Sequence, residues 1–422
     1  MDILLVNTRI VDPGSEHHHQ VVDIRLGDGR IQKIAPPYSL PHEGCRVWNQ
    51  ARQHLSPSWI DMRVHVPDPG YEQRETLATA LHCGGQSGLG GLLLTPDTEP
   101  VADQKSLLAY WREEAEGHPV RILPMAALSK GLQGKELAEL FDLHRSGAVM
   151  FGDANRPLDR PGLLLKAMMY TQLFDGLVNL SPAEGDLPEG QMHEGAVNVR
   201  LGLTGNPSLR ETMAVERVLA LLDYAGGKIH FSLISSREGV ALIRDARKKG
   251  LQVTADTSAH HLCFCDEDLA DYPTHLKFQP PLRGRSDREA LVQAVREGVI
   301  DGVVSDHYPL EPEAKQCEFN LAQPGAIGMQ TLFSQTLEAL GDMDASIRAL
   351  ADAPRRILQL PSDHIQEGQP VQATLFDPES TWKLQEATNL SRSSNSPYMH
   401  RSLKGKALAL FSGDQMVVNR SF

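Results

Sequence analysis

The chain has 422 residues, with 41 Lys and Arg against 54 Asp and Glu and a formal net charge of -13, which excludes a small single-core module and argues against nucleic acid as a partner. Hydrophobic residues make up 41% and charged residues 23%. No uninterrupted apolar stretch approaches the roughly 20 residues needed to cross a bilayer, and Met1 to Asp12 lacks the basic region of a signal peptide. The five cysteines (Cys45, Cys83, Cys263, Cys265, Cys317) are too few and too odd in number for a disulfide scaffold, so reduced thiols and a cytoplasmic location are expected.

In chain order, Ile3–Val11 and Val21–Ile34 are β-rich, and Asp28-Gly29 within the second suits a tight hairpin turn. Between them His17-His18-His19 lies in a Gly- and Ser-bearing connection and reads as a solvated loop. Eight β-rich runs follow: Trp59–His65, Leu89–Leu94, Arg121–Ala126, Ala148–Phe151, Leu177–Leu180, Lys228–Ile234, Leu251–Ala255 and Gly302–Val304. Helical patterns over Asp103–Glu116, Leu209–Tyr224, Arg237–Lys248 and Arg288–Glu297 lie between some of them, and eight β/α alternations predict an α/β fold, a (β/α)8 TIM barrel with its functional face at the strand C-termini. Gln372–Phe376 and Lys406–Val418 are again β-rich. Neither end carries enough apolar residues to stand alone. Residues 1–54 and 351–422, the latter beginning with a linker helix region, are therefore expected to build one small β-sandwich beside a barrel of residues 55–350.

The segment from Ser56 to Gly70 ends the first barrel strand, where alternate side chains project together into the mouth. Its Asp61-Met62-Arg63-Val64-His65-Val66-Pro67-Asp68-Pro69-Gly70 resembles the dihydroorotase pattern Asp-x-His-x-His-x-Arg-Glu-Pro-Gly of the amidohydrolase superfamily. The resemblance continues in the family's order through 84–100, 253–262, 277–283, 301–310, 325–331 and 393–406. It implies the metallo-dependent-hydrolase form of the barrel and a reaction interconverting carbamoyl aspartate and dihydroorotate on one or two zinc ions, held by histidines and carboxylates at the strand ends.

Carried over position by position, the resemblance implies that His65, Asp153 and Asp306 are retained from the metal site. The ligand positions Arg63, Ser181 and Leu233 have lost their histidines. The substrate positions have changed as well: Pro67 stands for the carboxylate-clamping Arg, Asp97 and Gln279 for Asn, and Leu310 for a His. A guanidinium cannot ligate a metal, so zinc is not expected, and Arg63 is expected to take over the metal's charge by pairing with Asp153 or Asp306. His230, His260, His261 and His307 read as hydrogen-bonded structural residues, and Asp61 is as suited to orienting the strand end as to touching a ligand.

The resulting expectation is a pseudoenzyme without catalytic residues or cofactor. It is similar to the noncatalytic dihydroorotase-like subunits that assemble with aspartate carbamoyltransferase in some bacteria, six copies of each chain, and support pyrimidine biosynthesis. The residues leave two alternatives open: an amidohydrolase of different specificity with a single metal, and a metal-free binder of a small ligand.

Overall fold

In the computed structural model, which describes residues 2–420, eight parallel strands form a ring in sequential order. They are β1 (Trp59–Val64), β2 (Leu89–Leu94), β3 (Arg121–Ala126), β4 (Met150–Phe151), β5 (Val178–Leu180), β6 (Ile229–Phe231), β7 (Val253–Ser258) and β8 (Gly302–Val304). The ring closes where Val64 bridges His307 and the His65 N–H donates to the His307 carbonyl at 2.9 Å. All residues of β1 and β2 are buried, because one face of each strand looks into the barrel and the other is covered by helices.

Two apolar layers result. Ile60 and Met62 of β1 share a cluster with Met125 of β3 and Met150 of β4, which lie across the ring, so this cluster fills the interior. A second and larger layer, including Trp59, Leu92, Phe151, Phe231 and Ile243, lies between strands and helices. The β1 register slips between Asp61 and Val64. A bulge of this kind re-aims side chains at a barrel rim, and here Met62 packs inside while Arg63 and His65 reach residues of the mouth.

The (β/α)8 expectation is met, with shorter strands at β4 to β6 than the apolar runs suggested. The backbone leaves the ladder early there: Leu233 adopts φ 60 just beyond β6. Helices at Leu77–Gln86 and Pro161–Thr171 were not anticipated. The first contains Gly84 and Gly85, poor helix formers, and a Cβ on Gly85 would meet Val120 and Val417 at 3.3 Å, so close packing against a terminal strand favours glycine.

Both termini join one hydrogen-bonded sheet wrapped around a single core that includes Leu5, Ile24, Leu55, Leu375 and Phe411. The two ends meet where His54–Pro57 pairs antiparallel with Gln372–Lys383. That strand belongs to the terminal sheet, so the barrel begins at Trp59 rather than at residue 55. The helix region after residue 350 is held against the barrel. Arg355 is buried and donates to the Ser58 carbonyl at 2.6 Å and to Asp363 at 2.9 Å, pinning Ala353–Ile357 to the start of β1. The five cysteines are unpaired, and no helix among the described residues is long and apolar enough to cross a membrane.

Candidate functional site

The bulge at the end of β1 places Arg63 in the barrel mouth, 3% exposed, with Nε donating to Asp306 Oδ1 at 3.1 Å. Nη2 donates to Asn155 in the loop after β4, and Nη1 is buried without a partner. Burial pushes the Asp306 carboxyl above the ordinary range and the Arg63 charge opposes that push, while Asp256 and Asp97 add to it. Arg63 thus pairs with Asp306 but does not hold Asp153. Asp153 is satisfied locally, accepting from the backbone N–H groups of Leu128 at 3.0 Å and Ser129 at 2.9 Å and from the Ser129 hydroxyl.

His65 is equally engaged. Its Nδ1 lies 3.1 Å from Asp97 Oδ1, and its ring stacks on Tyr308 at 4.2 Å. Burial alone would raise Asp97, but His65, with help from Thr95 and Arg63, holds its carboxyl well below the usual carboxylate range, although Oδ1 itself has no well-directed hydrogen bond. Asp97 is therefore the partner of His65 rather than a free group facing a substrate.

Most of the other altered positions are filled or tied down, Ser181 being the exception. Leu233 is buried and packs into the interior cluster, its N–H donating to Asp256 Oδ1 at 2.7 Å. Ser181 Oγ is buried without a hydrogen-bond partner. Pro67 is buried and offers only its carbonyl, which accepts from Tyr71 at 2.7 Å. Leu310 is buried, and its N–H donates to Asn395 Oδ1 at 3.1 Å. Gln279 reaches outward to Glu189 Oε1 at 2.8 Å, tying a loop of the β5–β6 connection across the mouth.

A cavity of about 30 Å³ lies beside Asn155, Ser181, Leu233 and Arg283. At roughly 10–15 Å³ per enclosed water this holds a few solvent molecules at most, against the roughly 300–1,000 Å³ of ordinary small-molecule pockets. A cleft of about 880 Å³ lies between the terminal sheet and helix Leu332–Leu340 and shares no residue with the mouth.

The nearby histidines are structural. His230 bridges Asp256 Oδ2 and Thr254 Oγ1 at 2.9 Å each. His261 sits between Ser258 Oγ at 2.7 Å and the Pro280 carbonyl at 3.1 Å, and burial lowers it to about 4. His260 is buried with neither ring nitrogen hydrogen-bonded, stacked on Phe278 at 4.5 Å. It does not fit the expectation of a hydrogen-bonded residue, and burial lowers it to about 3 because no partner stabilises the cation. His307 Nδ1 accepts from the Gly328 N–H at 3.2 Å, and its Nε2 lies 3.5 Å from the buried Glu75 without a hydrogen bond, while the Glu75 carboxylate accepts from Ser391 and Thr79. Asp61 orients the strand end, its Oδ1 accepting from the N–H groups of Ser305 at 3.1 Å and Arg63 at 3.3 Å.

A family model described as Dihydro-orotase-like matches residues 53–239. The dihydroorotase of Syntrophus aciditrophicus is 32% identical over 97% of both chains, and that of Desulfotalea psychrophila is 35% identical over 97% of this chain and 98% of its own. The chain belongs to the dihydroorotase-like family. The same fold is seen in the L-hydantoinase of Arthrobacter aurescens, with a TM-score of 0.86 at 18% identity, covering 99% of this chain and 96% of that one.

The zinc that the dihydroorotase resemblance implies does not fit the residues at this mouth. His65 and Asp306 are committed to Asp97 and Arg63, Asp153 is saturated by Ser129 and two backbone donors, and a guanidinium stands among them. Among the described residues, His65, Asp153 and Asp306 do not gather into a group able to share one ion. The backbone is nevertheless left-handed at three strand ends, with φ of 53 at Ala154, 60 at Leu233 and 48 at Asp306. These residues sit at the turns where β4, β6 and β8 leave the barrel. Asn155, Tyr308 and Glu75 escaped sequence reasoning. Asn155 lies two residues beyond Asp153, but no pattern marks it as a partner for an arginine on another strand.

Proposed function

We propose that this chain is a noncatalytic member of the dihydroorotase-like family whose barrel mouth binds neither zinc nor substrate. The observation that carries this reading is the buried Arg63–Asp306 ion pair, at 3.1 Å, where the family resemblance calls for a metal. The His65–Asp97 pair and the small volume of the cavity beside Asn155 and Ser181 support it independently. The role that the resemblance supports is structural: assembly with the catalytic chain of aspartate carbamoyltransferase, six copies of each, and support of that enzyme in pyrimidine biosynthesis. The packed interior and terminal sheet show that the fold is kept while the chemical groups of the mouth pair with one another, which suits a structural role. A specific interface of this kind buries at least about 1,000 Å².

Co-expression with the transferase, followed by size-exclusion chromatography with light scattering and no added metal, tests the proposal. The reading predicts co-elution and a transferase that is less active or less stable without this chain. Separate elution at micromolar concentration, with the transferase equally active and stable alone, would remove the scaffold role.

A further inference from the structure

The loop joining Ile3–Ile10 to Val21–Gly27 carries His17, His18 and His19, and they do not share one solvated environment. His17 faces its own loop, with Nδ1 3.2 Å from Gln20 Oε1 and Nε2 3.7 Å from Glu16. His18 and His19 have ring centroids 3.7 Å apart and turn toward Asp344, in helix Met343–Ile347 beyond the last barrel strand. His19 Nε2 lies 2.9 Å and His18 Nε2 3.8 Å from Asp344 Oδ2. The second carboxylate oxygen, Oδ1, is buried without a hydrogen-bond partner. One ligand atom from each of the three residues falls within 4.8 Å of the other two.

We propose that His18, His19 and Asp344 form a site for a divalent transition metal of the zinc class, clasping the terminal-sheet loop to the helical segment that follows the barrel. Zinc bonds of about 2.0–2.2 Å to nitrogen and oxygen place tetrahedral ligand atoms roughly 3.3 Å apart, and the two distances to Asp344 straddle that value. Two imidazoles and one carboxylate suit zinc, cobalt or nickel rather than calcium or magnesium, which prefer all-oxygen shells. His19 is exposed and His18 and Asp344 are partly buried, so an ion can enter and water can complete its shell. The Asp12 N–H donates to His18 Nδ1 at 3.1 Å. Metal at Nε2 requires the ring proton on Nδ1, so that hydrogen bond is lost on binding and offsets part of the affinity.

The test is zinc titration of the metal-stripped full chain by calorimetry, with the thermal midpoint followed in parallel. The expected result is about one zinc ion per chain and a raised midpoint, with affinity lowered at least roughly tenfold, about 1.4 kcal/mol, in His19→Ala and in Asp344→Asn and unchanged in His17→Ala. Cobalt added to the unmodified chain should give the visible absorption of a tetrahedral site, a measurement that does not depend on the variants folding. Zinc binding untouched by Asp344→Asn, or weakened as much by His17→Ala as by His19→Ala, would show a generic histidine tract and overturn the proposal. So would no binding at about 100 μM zinc, an affinity weaker than about -5.5 kcal/mol.

Discussion

Replacing Arg63 with methionine keeps much of the side chain's length and removes its charge, leaving Asp306 buried without its cation. The lost contacts are the Nε bond to Asp306 at 3.1 Å and the Nη2 bond to Asn155. Removing one partner of a buried ion pair costs about 3–5 kcal/mol, and that is the loss expected in chemical denaturation at pH 8. The pH dependence carries a second signature. Burial already raises Asp306 in the folded chain and Arg63 opposes the rise, so the variant's folded value climbs further. An unfolded aspartate releases its proton near pH 4, roughly, while the folded variant keeps it to higher pH. Stability is therefore lost as pH rises through that window, and the penalty should be smallest near pH 4 and largest at pH 8. Changing Asp306 to leucine in the same chain removes the orphaned carboxylate and should recover a large part of the loss. A penalty below about 1 kcal/mol that is flat with pH, and a double variant no better than the single, would refute the charge-replacement argument.

Three further outcomes follow from the same geometry. Burial raises Asp61 to about 7 in the folded chain, so its ionised form costs stability progressively as pH rises from about 4 to 7, and Asp61→Asn should stabilise the chain by a few kcal/mol at pH 8, roughly, and little near pH 4 by denaturation. His260 and His261, lowered by burial to about 3 and about 4, contribute stability that is full above about pH 6.5 and is lost as pH falls toward those values; ring nitrogen NMR should show both neutral at pH 5, and titration near 6.5 would contradict their placement. Arg63→His alone should restore neither zinc at the mouth nor turnover, because Asp97 still holds His65 and Leu233 supplies no ligand; metal analysis on a chain that also carries His19→Ala reads the mouth by itself.

The barrel was legible because its strands are buried on both faces and read as continuous apolar runs such as Leu89–Leu94. Where strands are only two or three residues long, as at Met150–Phe151, the apolar run extends past the strand, although single backbone bonds such as Val149 N–H to the Pro124 carbonyl continue beyond it. That Arg63, Ser181 and Leu233 stand where the resemblance expects histidines could be read from the motifs around them. The partners of these residues could not. The Arg63 contacts to Asp306 and Asn155 span 243 and 92 residues of sequence, and the pairing of His65 with Asp97 depends on adjacent strands β1 and β2 bringing their C-terminal ends together. The convergence of His18 and His19 on Asp344, across 325 residues in the case of His19, was likewise hidden in a tract that sequence reads as a solvated loop.

The most direct test of the central reading is a dihydroorotase assay of the purified chain in both directions, with carbamoyl aspartate and dihydroorotate as substrates and zinc supplied in excess. The Arg63–Asp306 and His65–Asp97 pairs predict no turnover above background, with or without metal. Turnover that a chelator abolishes and zinc restores would contradict it.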